Sequence, residues 1–121
     1  MGQLEIFPRA TEADIRTVKA MVDKYPTMKR RVDVLSTKAE LTAIESKVYK
    51  EYSTDIENVE TAIESIADDE IRQIMKYRFI ENYPRKSAVV KWRVFTDRTL
   101  DRKIAEGFEA MADVLKLYGK I

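Results

Sequence analysis

Between Thr96 and Lys103 the chain reads Thr-Asp-Arg-Thr-Leu-Asp-Arg-Lys, with Arg98 and Arg102 four residues apart. On a helix that spacing puts both guanidinium groups on one face. A guanidinium can make two parallel hydrogen bonds to the edge of guanine, and a threonine can offer its hydroxyl or methyl group to a base. Thr96, Arg98, Thr99 and Arg102 are therefore candidate base-reading residues, on a helix expected to begin at Thr96 and enter the major groove of DNA. Arg85, Lys86, Lys91, Arg93 and Lys103 surround them and are candidates for phosphate contacts, which supply affinity and salt dependence. Asp97 and Asp101 repel phosphates unless they pair, with Arg98, Arg102 or a base such as cytosine as the expected partners.

A reader of this kind has to be held by other helices, and the preceding residues supply two. Asp68-Asp69-Glu70 puts negative charge at a helix start, where the helix dipole favours it. Ile71, Ile74, Met75, Arg78 and Phe79 continue that helix to about Glu81. Asn82-Tyr83-Pro84-Arg85 is a turn, and Ser87 is expected to cap a short helix through Arg93, with Ala88, Val89 and Trp92 inward. Val94-Phe95 bends the chain and Thr96 caps the last helix. The inner line of that helix is Leu100, Ile104, Phe108, Met111 and Leu115, and Lys116, Gly119 and Lys120 mark its end. Gly107 interrupts it at about 1 kcal/mol relative to alanine, and either marks a close helix crossing or is incidental.

The first half is helical scaffold. Thr11 and Asp14 begin a short helix through Ile15, Val18, Met21 and Val22, expected to stop near Lys24 because Pro26 pushes Tyr25 out of helical geometry. Met28, Val32, Leu35 and Ala39 open a second seam at spacings of four, three and four. Its phase then slips to Leu41, Ile44, Val48 and Tyr52. Thr37 to Glu40 has the form of a capping box, so either a new helix begins there or one long helix changes its buried face. Ser53 to Glu57 poses the same alternative before Ile56, Val59, Ile63 and Ile66. These seams suit an antiparallel hairpin or an intermolecular coiled coil. Leu4, Ile6 and Phe7 lie in an irregular arm able to dock on an apolar surface.

Composition narrows the class. Across 121 residues there are three glycines and three prolines, and neither occurs from Thr27 to Tyr83, so the expected fold is all-α. Residues 1–66 form a helical region for oligomerisation or polymerase contact, and residues 67–121 a helix-turn-helix domain. The absence of cysteine suits a reducing compartment, and the absence of histidine removes the commonest general base and metal ligand. Glu57, Glu60 and Glu64 share one side of a helix and read as a solvated acidic face. There is no glycine-rich phosphate loop and no nucleophile–base pair, so neither an enzyme nor a bound cofactor or metal is expected. No apolar run is long enough for a signal peptide or a spanning helix. A cytoplasmic protein with no membrane partner is the expectation.

The net charge of +1 hides a division. Residues 1–68 hold ten Lys and Arg against thirteen Asp and Glu, giving −3, while residues 69–121 hold twelve against eight, giving +4. Within 85–103 seven basic residues face two acidic ones, so the positive charge gathers on the candidate reader.

From about Ile66 to Leu117 the chain resembles the fourth conserved region of sigma factors and the phage regulators built on that module. The resemblance rests on Asp68-Asp69-Glu70 followed by Tyr77-Arg78-Phe79, then on a turn and a short helix, and then on Thr96 to Lys103. The tail from Ala105 to Gly119 is similar to the family's closing helix. Two stretches depart from the pattern: Arg85 to Val90 stands where Trp-x-x-Ile-Ala is usual, and Trp92-Arg93-Val94 replaces a Leu-Gly turn with one residue more. With its helical first half, the chain is most similar to the RinA/ArpU-like late-gene activators of phages of Gram-positive bacteria. That resemblance implies a sigma-like helix-turn-helix regulator that activates phage late genes in a bacterial host. Its partners would be double-stranded DNA, bacterial RNA polymerase and a second copy joined through the N-terminal helices. Two other readings fit the same residues: a small terminase-like DNA-packaging protein, and a helical protein-interaction module without DNA binding.

Overall fold

A computed structural model describes residues 9–121, and they form five helices without a strand. These are α1 (Glu12–Ser36), α2 (Ala43–Glu64), α3 (Asp69–Met75, continued by a π-helical turn over Lys76–Ile80), α4 (Arg85–Lys91) and α5 (Asp97–Leu117). The expected apolar arm of Leu4, Ile6 and Phe7 lies outside the described residues.

Helices α1 and α2 pack against each other as an antiparallel hairpin, and α5 lies against both. Thr11 opens α1 with a complete capping box. Its hydroxyl accepts from the Asp14 N–H at 3.2 Å, and the Asp14 carboxylate accepts from the Thr11 N–H at 2.8 Å. That N–H, together with the Lys116 ammonium 2.9 Å away, holds the Asp14 carboxyl below the usual carboxylate range. Ala10 N–H also donates to Asp113 at 2.7 Å, so the start of α1 is tied to the end of α5.

The expected break at Tyr25-Pro26 does not occur, because α1 runs through Pro26 for 25 residues. Proline removes one helical hydrogen bond and crowds the preceding turn. Pro26 is exposed at the flank of the stripe, whereas Val18, Val22, Tyr25 and Met28 form an unbroken buried line along it. Tertiary packing of that line overrides the local signal. Of the two alternatives at Thr37 to Glu40, a new helix does begin, but five residues later than Thr37. Thr37 closes α1, its N–H reaching the Val34 carbonyl at 3.1 Å, and Thr42 caps α2 in a full box with Glu45. From there α2 continues through Ser53 to Glu57 without a new start, and of the expected line Ile44 is exposed.

Asp68 caps α3 as the acidic start implied, accepting from the Ile71 N–H at 2.9 Å. The helix ends at Asn82, whose φ of 61° is left-handed, a conformation asparagine adopts more readily than most residues. Tyr83 N–H then closes back on the Tyr77 carbonyl at 3.1 Å. Ser87 does not cap α4. Pro84 takes that position, and its carbonyl accepts from the Ser87 and Ala88 N–H groups at 3.0 and 3.2 Å. Thr96 caps α5 through the Thr99 N–H, and Gly119, at φ 71°, follows its end.

Two apolar clusters result. The larger draws on α1, α2, α3 and α5, so residues 1–66 and 67–121 contribute to one core. The smaller is Ile74, Ala88 and Leu100, covered by Tyr77, Val89, Trp92, Phe95 and Ile104. The π turn sits where the chain passes between them: Tyr77 packs on the small cluster, Phe79 and Ile80 on the large one.

Candidate nucleic-acid interface

The first two turns of α5 project from the small cluster. Of the residues from Thr96 to Arg102, Leu100 alone is buried, holding the helix against Ile74 and Ala88. Arg98 and Arg102 flank the direction opposite Leu100, and both are exposed. Neither makes an ion pair with the described residues. Like charges four residues apart cost an isolated helix about 0.2–0.5 kcal/mol, so this face favours an incoming anion or acceptor.

The hydroxyl of Thr96 accepts from the Thr99 N–H at 3.1 Å and lies 3.0 Å from the Thr99 hydroxyl. Both groups are thus engaged in the cap, Thr96 exposed and Thr99 half-buried. The cap fixes where the helix begins, and so fixes the height at which Arg98 and Arg102 leave it.

The acidic residues on this face are resolved differently from the expectation. Asp101 pairs with neither Arg98 nor Arg102. Arg85, at the first residue of α4, places Nε and Nη2 each 2.9 Å from its two carboxylate oxygens. This two-pronged geometry orients both side chains. It lowers the Asp101 carboxyl below the usual carboxylate range and raises the Arg85 guanidinium. The pair is exposed and ties the start of α4 to the second turn of α5. It also neutralises a carboxylate that would otherwise face the same anion as Arg98 and Arg102. Sequence spacing carried no signal of it, because the partners are 16 residues apart.

The remaining basic residues divide into two groups. Lys86, Lys91 and Arg93 are exposed on α4 and the following turn. The Lys91 ammonium lies 5.4 and 5.5 Å from the ring centroids of Tyr77 and Trp92. Lys103 turns the other way. It is largely covered, pairs with Glu70 at 3.0 Å and lies 4.9 Å from the Phe95 ring centroid. It therefore joins α5 to α3 rather than standing beside Arg98.

Aromatic side chains build the support between them. Tyr77 and Tyr83 stack at 4.4 Å, and Tyr77 meets Trp92 edge-on at 5.2 Å. With Lys86, Ser87, Val90 and Lys91 the two tyrosines line an open cleft of about 630 Å³ along α4. Arg78 fastens the turn below it, donating from Nη1 to the Tyr83 carbonyl at 2.8 Å. Burial, with the Arg85 charge behind it, disfavours the Arg78 cation, although an arginine stays protonated in proteins. Val90 in this cleft and Val94 in the turn after α4 are also exposed.

The acidic face of α2 lies elsewhere. Glu60 accepts from the Tyr25 hydroxyl at 2.5 Å and Glu64 pairs with Lys76 at 2.9 Å, while Glu57 is exposed. No group of three potential metal-ligating side chains occurs among the described residues, and no helix there is long and apolar enough to cross a membrane. No protein-family model, curated protein or solved structure matches the chain.

Proposed function

We propose that the chain is a sequence-specific DNA-binding transcription regulator that inserts the N-terminal turns of α5 into the major groove. One observation carries the reading: Arg98 and Arg102 stand exposed and without ion pairs among the described residues, at the start of a capped helix braced by α3 and α4. A recognition helix meets base edges with such N-terminal residues while the preceding helix crosses the backbone. Lys86, Lys91 and Arg93 lie where α4 and its turn would meet phosphates, and Arg85 can exchange Asp101 for a phosphate oxygen. Asp101 then becomes free to accept from a cytosine amino group. The sigma-like resemblance of Ile66 to Leu117 extends the reading to an activator of phage late genes, acting with bacterial RNA polymerase in the host cytoplasm.

The test is selection from a pool of random duplexes, followed by binding of variants to the selected site. Replacing Arg98 or Arg102 by Ala is expected to cost about 1–3 kcal/mol and to relax preference at one base pair. Lys91→Ala is expected to weaken binding to every duplex and to reduce the salt slope by about 1. Parent-like binding by both arginine variants overturns the assignment of the recognition helix. Absence of salt-dependent duplex binding overturns the whole reading in favour of a protein-interaction module. A ring of eight or more copies would point instead to DNA packaging.

A further inference from the structure

The face of α4 turned away from the small cluster carries an aromatic floor that duplex binding does not use. Ala88 and Val89 turn inward, where Leu100 holds α5, whereas Lys86, Ser87, Val90 and Lys91 line the open cleft with Tyr77 and Tyr83. Tyr77 already has a packing partner in Trp92, met edge-on. Tyr83 adds a second ring, stacked on Tyr77 at 4.4 Å and 14° and still 46% exposed. Its backbone is fixed on both sides. Asn82 turns the chain with its left-handed φ of 61°, the Tyr83 N–H donates to the Tyr77 carbonyl at 3.1 Å, and Arg78 Nη1 donates to the Tyr83 carbonyl at 2.8 Å. The ring is held in place before any ligand arrives, which limits the ordering cost of binding.

Charge around this floor has one sign. No acidic residue lines the cleft, and neither Lys86 nor Lys91 forms an ion pair with the described residues. The two lysines are five residues apart on α4, roughly 7.5 Å along its axis. That span suits two successive phosphates of one strand better than a single phosphate group. Val90, 68% exposed, extends an apolar surface that a purely ionic partner would leave in water.

We infer that the cleft binds single-stranded nucleic acid, with one unstacked base lying on Tyr83 and its flanking phosphates on Lys86 and Lys91. Stacked aromatic rings inside a basic groove hold such strands, because every base offers a π face whatever its sequence. An intact duplex cannot use this floor, since its bases are stacked on one another. The inference goes beyond the reading of α5 and does not rest on it.

The test is fluorescence anisotropy of the full chain with a labelled oligothymidylate of about ten nucleotides, beside an abasic strand of equal length. The thymidylate is expected to bind more tightly than the abasic strand. Tyr83→Ala should weaken thymidylate binding by about 5- to 150-fold, the loss of one base stack, and leave abasic-strand and duplex binding as they were. Tyr83→Trp should retain it. Lys86→Ala with Lys91→Ala should weaken both strands and reduce the salt slope by about 1.4. Val90→Glu, at an exposed helix position, should also lose thymidylate affinity with helicity unchanged by circular dichroism, so the test does not hang on the stability of the Tyr83 turn. An oligouridylate bound equally well extends the site to RNA, and one bound more weakly restricts it to DNA. Equal binding of thymidylate and abasic strands, or parent-like binding by Tyr83→Ala, overturns the inference. Polyglutamate that displaces the strand as well as unlabelled strand does overturns it in favour of an acidic protein partner. Thymidine monophosphate that does so overturns it in favour of a free nucleotide. If duplex binding fails while strand binding persists, the reading of α5 falls alone.

Discussion

The two ends of α5 live in different surroundings. From Ile104 onward the helix is wedged against α1 and α2, in a cluster where fifteen buried side chains pack together. Before Ile104 it is held by Leu100 on a cluster of three buried side chains, two of them from α3 and α4. One helix thus serves as anchor at one end and as presenting arm at the other. The presenting end should open at lower free energy than the anchored end, because local stability follows local burial. Arg98 and Arg102 lie on the less stable end.

The sharpest way to break this contrast is to damage each cluster in turn. Ile63 is fully buried in the large one, and Ile63→Ala should cost about 2–5 kcal/mol of global stability in denaturant titration, lowering every probe together. Leu100→Ala should cost about 2–3 kcal/mol, toward the lower end for such a change, because its half-covered neighbours can relax. Its signature is faster amide exchange in α4 and the first turns of α5, with the hairpin still protected. If exchange rose equally in α1 and α2, the two clusters would be a single cooperative unit.

The anchored region should also contain stability that has not been used. Pro26 is exposed inside α1 and costs the helix up to about 3 kcal/mol relative to alanine. Pro26→Ala should accordingly raise the unfolding free energy by about 1–3 kcal/mol, and a loss instead would mean that the proline shapes the packing of α1. At the crossing of α3 and α5, a Cβ on Gly107 would lie 2.5 Å from the Met75 sulfur and 2.6 Å from its Cγ. Met75 is fully buried, so Gly107→Ala should cost about 1–2 kcal/mol, the gain in helix propensity offsetting part of the overpacking. Combined with Met75→Ala, it should cost less than the sum of the two single changes, since both act on one space.

Tyr25→Phe is the smallest of these effects, at about 1 kcal/mol for one hydrogen bond near neutral pH. It carries a pH signature. Burial first, then the hydrogen bond to Glu60, raises the Tyr25 hydroxyl far above its ordinary value. Tyrosine in the unfolded chain ionises near about pH 10 while the folded one stays neutral. The stabilisation is therefore complete below about pH 10 and declines as pH rises above it. The difference between parent and Tyr25→Phe in denaturant titration should narrow accordingly, and a constant difference up to pH 11 would refute the assignment.

Much of this architecture was legible locally. Thr11, Asp68 and Thr96 begin helices because a short polar side chain satisfies N–H groups two or three residues ahead, a rule confined to one turn. The line Leu100, Ile104, Phe108, Met111 and Leu115 was equally legible, being set by helical period. Thr37 to Glu40 has the form of a capping box, yet Thr42 and Glu45 make the one that opens α2, and chain-local chemistry did not reveal that. The choice depended on where α1 runs out of core to cover.

Sequence alone thus determined that the chain is helical, where several helices begin, and that positive charge gathers at the start of α5. Tertiary structure decided the rest. It carried α1 through Pro26 because a buried seam outweighs one lost hydrogen bond, and it joined both halves of the chain in one core. It gave Asp101 to Arg85 and Lys103 to Glu70, leaving Arg98 and Arg102 exposed and without an ion pair among the described residues. Those partners are separated by many residues, and only the packing of α3, α4 and α5 around Ile74, Ala88 and Leu100 brings them within reach.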